Sequence, residues 1–206
     1  MTLFKLFQAM LLLPVAALLA QTPKPSAAEA LTAHLQNTPR LHVAFTQTRT
    51  LAALSRPLKT SGRLVLAREL GVIWQVQKPL NLTYVVGPKG MMEVGPDGKA
   101  KKKNAKDVPM VAQMGRILQA LLQGRWSALE EFFTLRAEGS SERWKIILVP
   151  KPQTATFLKG VQITGGRFID RIHVDEPSGD AMDLVFDRPR PDEPLSDEEQ
   201  RLFKFE

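Results

Sequence analysis

The chain has 206 residues, a formal net charge of +7 and no cysteine. Without cysteine there is no disulfide stapling, no thiol catalysis and no thiolate-metal site, nor the lipid-bearing cysteine of a bacterial lipoprotein, so stability must come from burial alone. The basic balance fits plain solubility, an anionic lipid surface or an acidic partner, and does not choose among them.

In chain order, residues 1–20 have the layout of a cleavable secretory signal: Lys5 supplies the charge, an apolar run covers 6–19, and Ala20 is a small cleavage residue. Gln8 and Pro14 interrupt the run, which is shorter than the roughly 20 residues that span a bilayer, so no membrane anchor is expected. Leu18 fits poorly at the third position before the cut, which leaves Ala28 as a second candidate. Cleavage after Ala20 leaves residues 21–206 as a single domain, exported and away from nucleic acid.

A helical lead at 27–36 is ended by Pro39, and Leu41, Val43 and Phe45 then alternate along a strand at 41–50. Strand-like runs follow at 62–67, 72–76, 81–86 and 91–94, separated by Gly- and Pro-containing turns. Pro96-Asp97-Gly98-Lys99 is turn chemistry, and the lysines after it are expected in a loop. At 109–123, Met110, Met114, Ile117, Leu118, Leu121 and Leu122 recur at helical spacing, so a helix interrupts the sheet. A short helix at 127–131 precedes strands at 133–137, 144–149, 161–164, 168–174 and 182–186. Ser196 with Glu199 forms a capping-box signature for a last helix packed over the sheet. The pattern is mainly β with a few helices: one antiparallel meander of about ten strands, curled into an open, incomplete half-barrel with a helical lid over an apolar concave face.

Catalysis has little to stand on in this sequence. His34, His42 and His173 are isolated, no nucleophile elbow or phosphate loop is present, and Asp175-Glu176 and residues 197–199 suit turn and helix-start duties. The expectation is a binding protein, not an enzyme, with no cofactor and no metal.

The order of landmarks resembles the periplasmic outer-membrane lipoprotein carrier family (LolA-like). Val43-Ala44-Phe45-Thr46-Gln47-Thr48 looks like the family's Phe-x-Gln opening. After Arg56-Pro57 come Ser61-Gly62-Arg63-Leu64-Val65-Leu66, then Gly71-Val72-Ile73-Trp74 with Lys78-Pro79. Arg143-Trp144-Lys145 leads to a strand ending in Leu148-Val149-Pro150-Lys151, and the Gly179-Asp180 turn follows farther on. The resemblance implies a monomeric periplasmic carrier of a Gram-negative bacterium. It would take an acylated lipoprotein or lipid from an inner-membrane release complex or exporter and hand it to an outer-membrane acceptor.

The expected lining is Leu64, Leu66, Trp74, Leu82, Tyr84, Met110, Met114, Ile117, Leu118 and Leu121, with Lys99, Lys101, Lys102 and Lys103 touching a partner or lipid headgroup. Two departures point to a divergent branch. Known carriers have a lid-holding arginine before the strand tryptophan, where this chain has Ile73, and the lysine cluster is unlike the general carrier. The cargo therefore stays open between a lipoprotein and a glycolipid or acylated pigment precursor, and a protein-interaction or sensor module on the same fold is the alternative.

Overall fold

The structure, a computed structural model, describes residues 27–88, 90–104, 106–107, 115, 117, 120 and 126–204. The expected signal segment lies outside the described residues. Helix α1 (Ala27–Thr32) continues into a 3-10 turn (Ala33–Asn37) and delivers the chain to β1 (Arg40–Thr50). Then come β2 (Leu58–Ala67), β3 (Gly71–Lys78), β4 (Leu82–Gly87), β5 (Gly90–Val94) and β6 (Ala100–Lys103). After α2 (Ser127–Glu130) lie β7 (Phe133–Ser140), β8 (Arg143–Pro150), α3 (Pro152–Ala155), β9 (Gly160–Gly165), β10 (Ile169–Asp175), β11 (Ala181–Pro191) and α4 (Asp197–Phe203).

All eleven strands form one antiparallel sheet in the order β6-β5-β4-β3-β2-β1-β11-β10-β9-β8-β7, which does not close into a barrel. Three expectations need correction. The lysines after the Asp97-Gly98 turn do not lie in a loop: Lys101, Lys102 and Lys103 form an edge strand paired with Glu93, Met92 and Met91, which makes eleven strands instead of ten. That strand is one alanine followed by three lysines, so it gave no apolar alternation to read. Second, the sheet is two meanders joined by pairing of the first strand with the last, from Leu41↔Pro191 to Thr50↔Ala181. Third, α3, a single turn begun by Pro152, was not expected from the sequence.

The joined-meander topology sends residues 104–132 from one edge of the sheet to the other, because β6 and β7 are the opposite edges. Of this crossover, the described Ile117, Ala120, Trp126 and Leu129 are buried in the main core, against a sheet face.

Period-2 alternation and the pairing registers fix the two faces. Leu64, Trp74 and Tyr84 stand side by side, as do Leu66, Val72 and Val86, on the face that carries Phe45 and Val43. The same layer continues through Leu184, Ile172, Ile163 and Ile146 to Ala137. We call this the inner face. Each aliphatic side chain fully buried there, such as Leu64 or Ile163, contributes about 1.5–3 kcal/mol over exposure. On the outer face Val65, Ala67, Ile73, Val85, Met92 and Phe203 form a smaller cluster, through which α4 packs against β3 and β4.

Candidate functional site

The inner face is an apolar layer shared by strands from both meanders and roofed by α1, the crossover and α2. Leu64, Leu66 and Trp74 are buried in it, Tyr84 packs against it half-buried, and Leu82, opposite Val76, is half-buried on the same face. Ile117 reaches the layer from the crossover with 1% of its surface exposed. Met110, Met114, Leu118 and Leu121 lie outside the described residues.

The lining expected from sequence covered only one wing of this face. The far wing, with Trp144, Ile146, Leu148, Val161, Ile172 and Leu184, is as deeply buried. Its alternation was legible, but nothing in a strand's own periodicity says which face it shares with a distant strand.

The roof is pinned by polar contacts in otherwise dry surroundings. Trp126 Nε1 donates to Thr32 Oγ1 at 2.9 Å, and that hydroxyl donates to the Ala28 carbonyl at 2.7 Å, which ties α2's leading turn to α1. Gly115 lies so near β4 that a Cβ there would sit 3.0 Å from Val86 Cγ1, so the helical crossover approaches the sheet at a residue without a side chain. Trp144 Nε1 and His34 Nε2 both donate to the Gly166 carbonyl, each at 2.8 Å.

At the β6 edge the inner face turns polar. Register places Tyr84, Glu93 and Lys101 in one row, with Lys103 beside Met91. Lys103 Nζ reaches Glu93 Oε1 at 3.3 Å. Burial, followed by the Glu93 charge and its hydrogen bond, pushes the Tyr84 phenol up to about 12. Lys102, opposite Met92, belongs to the outer face, and Lys99 stands at the hairpin tip, paired with Asp97 at 3.4 Å. The four lysines thus divide between two faces and a turn.

The remaining histidines also have partners. His42 Nε2 lies 3.2 Å from Glu199 Oε2 on α4. His173 bridges Asp183 at 2.8 Å and Asp175 at 3.2 Å on the outer face of β10 and β11. Among the described residues no group of three or more His, Asp or Glu side chains is placed to hold a metal ion, and no helix is long and apolar enough to cross a membrane.

The family model described as outer membrane lipoprotein carrier protein LolA-like matches residues 20–175. No curated protein matches the chain in sequence. A DUF1329 family protein from Desulfovibrio piger is similar in structure at a TM-score of 0.50 and 10% identity, over 85% of this chain and 96% of that one. A LolA superfamily protein from Nitrosomonas europaea gives 0.49 and 9%, over 83% and 96%. The Pseudomonas aeruginosa MucA/MucB complex gives 0.48 and 10%, over 86% of this chain and 60% of that one.

Proposed function

The chain belongs to the LolA-like family of outer-membrane lipoprotein carriers, and from this premise we propose that it is a non-enzymatic periplasmic carrier that shields acyl chains against its inner face on the way to the outer membrane. One observation carries the reading: an apolar layer spans an eleven-stranded sheet that stays open, and its roof is a long crossover, not a second sheet.

Burying about fifteen acyl methylenes is worth roughly 12 kcal/mol, enough to hold a lipid in water and too much for easy release. The chain's own Ile117, Ala120 and Trp126 already occupy the inner face, so an entering lipid displaces apolar contacts worth about 1.5–3 kcal/mol per large side chain. That competition lowers net affinity to a level at which an acceptor can strip the cargo. Transfer on this reading is passive, with no bond made or broken. The cargo is an acylated lipoprotein, a glycolipid or an acylated pigment precursor, and the donor and acceptor are membrane complexes.

Native mass spectrometry of protein purified gently from the periplasm of its own host, followed by organic extraction, tests the reading. A co-purifying acylated molecule is expected and names the cargo. An empty protein that also ignores a fluorescent acyl probe would sink the carrier reading in favour of a protein-interaction module.

A further inference from the structure

We propose that the hairpin tips at one end of the first meander form a docking surface for an anionic lipid bilayer. The strand registers place the β1–β2 loop (51–57), the β3–β4 turn (79–81) and the β5–β6 turn (95–99) at the same end of the sheet. Exposed apolar side chains gather there: Leu54 is 48% exposed, Leu58 50% and Leu80 67%. Phe132 and Phe157 stand at that end too, on the second meander. Together these are five of the eight large apolar side chains exposed among the described residues.

The occupant follows from shape and charge. These leucines sit on separate tips, not on one flat patch. The β1–β2 ribbon is paired down to Arg49↔Leu58, so it runs roughly 10 Å past β3, which ends opposite Ser61, while on its other side it stays paired with β11 to Thr50↔Ala181 and Ala52 N–H donates to Asp180 Oδ1. Projecting tips with single leucines suit insertion among lipid headgroups better than a protein groove. Arg56, Lys59 and Lys78 flank them, exposed and without an ion pair among the described residues, and Lys99 is paired with Asp97, itself exposed. A cationic collar around apolar tips is complementary to an anionic bilayer surface.

Leu58 shares the inner-face parity of Leu64, so the docking tip stands at one end of the apolar layer. The surface thus deepens the carrier reading, which supplies its purpose, although the geometry stands without it.

Co-sedimentation with vesicles tests the proposal. The protein should pellet with phosphatidylglycerol/phosphatidylcholine vesicles and not with pure phosphatidylcholine ones, and added salt should release it. The triple variant Leu54→Ser/Leu58→Ser/Leu80→Ser should weaken pelleting about tenfold or more, and Arg56→Glu/Lys59→Glu/Lys78→Glu should abolish it. Arg56→Glu/Lys59→Glu/Lys78→Glu, and Leu54→Ser/Leu80→Ser without the change at the inner-face Leu58, should still take up a fluorescent acyl probe in vesicle-free solution, which checks that they fold and separates this idea from the carrier reading. Failure of the wild-type protein to bind anionic vesicles, or full binding by the triple serine variant, would overturn the proposal. The same holds if the tips bind a membrane protein while lipid alone is ignored.

Discussion

Phe45 and Trp74 meet edge to face across an intervening strand, ring centroids 5.5 Å apart and planes at 75°. Their strands, β1 and β3, are separated by β2, and the β2 residue opposite Phe45 is Gly62. A Cβ at Gly62 would fall 1.9 Å from the Gln75 carbonyl oxygen, so close strand approach demands glycine there, and the missing side chain leaves the inner layer open for the two rings to touch. The Gly62 of the sequence signature is thereby tied to the aromatic floor of the site.

Trp74→Ala should therefore cost about 3–5 kcal/mol, the range for emptying a buried aromatic position, while Trp74→Phe should lose less than half of that. Urea midpoints measure both. An Ala variant within about 1 kcal/mol of wild type would mean that the floor is not a packed core.

The approach of Gly115 to Val86 gives a test of lid behaviour. Because a Cβ at 115 would lie only 3.0–3.3 Å from the three side-chain carbons of Val86, Gly115→Val should push the crossover outward. On the carrier reading a fluorescent acyl probe should then enter several-fold faster in stopped flow. An unchanged entry rate in a folded variant would show that the crossover does not gate the inner face.

Tyr84 is the chain's single tyrosine, so its phenolate absorbance reports one site. It should titrate near 12, and Glu93→Gln should bring the midpoint down only part of the way to 10, because burial is the larger cause and persists. The native state holds this proton more tightly than the unfolded chain. The stabilisation is therefore present below pH 10 and is lost as pH rises through about 12. A wild-type midpoint at 10 would place the phenol in open water.

Much of this architecture was legible in the sequence. Leu41, Val43 and Phe45 announced β1, and Ser196 with Glu199 announced the capping box, which forms with both hydrogen bonds. What could not be read was non-local. Pairing of Thr50 with Ala181 joins residues far apart in the chain, and only that pairing turns one meander into two and sends the crossover over the inner face. The exposed tips were not legible either, because Leu54 and Leu80 sit in irregular stretches, where an apolar residue carries no period, and Leu58 opens β2 ahead of its apolar alternation.

Docking of α4 should depend on acid. Burial works against ionisation of Glu199, but the backbone N–H of Ser196, His42 and the Ser196 hydroxyl together outweigh it and hold the carboxyl below its ordinary 4.5. A depressed carboxylate stabilises the fold above its unfolded value and loses that contribution as pH falls through the folded one. Amide exchange at Asp197–Phe203 should thus accelerate below about pH 4.5 ahead of exchange in β1 and β2. Ser196→Ala should cost about 1 kcal/mol and move the onset to higher pH. Simultaneous acceleration everywhere would mean that α4 has no separate acid-sensitive latch.

Ile73 is where resemblance and geometry part. Family resemblance gives the residue before Trp74 a role in holding the lid, yet alternation turns Ile73 to the outer face, where it packs with Val65, Val85 and Phe203 beneath α4. Arginine there would face the C-terminal helix and not the crossover. Ile73→Arg should therefore bury a charge under α4, undock it and cost about 3–5 kcal/mol of its packing, unless the long side chain snorkels to solvent. Proteolysis after Arg201 should speed up, while acyl-probe binding stays as in wild type. Altered probe binding with α4 still protected would reverse this assignment and return position 73 to the lid.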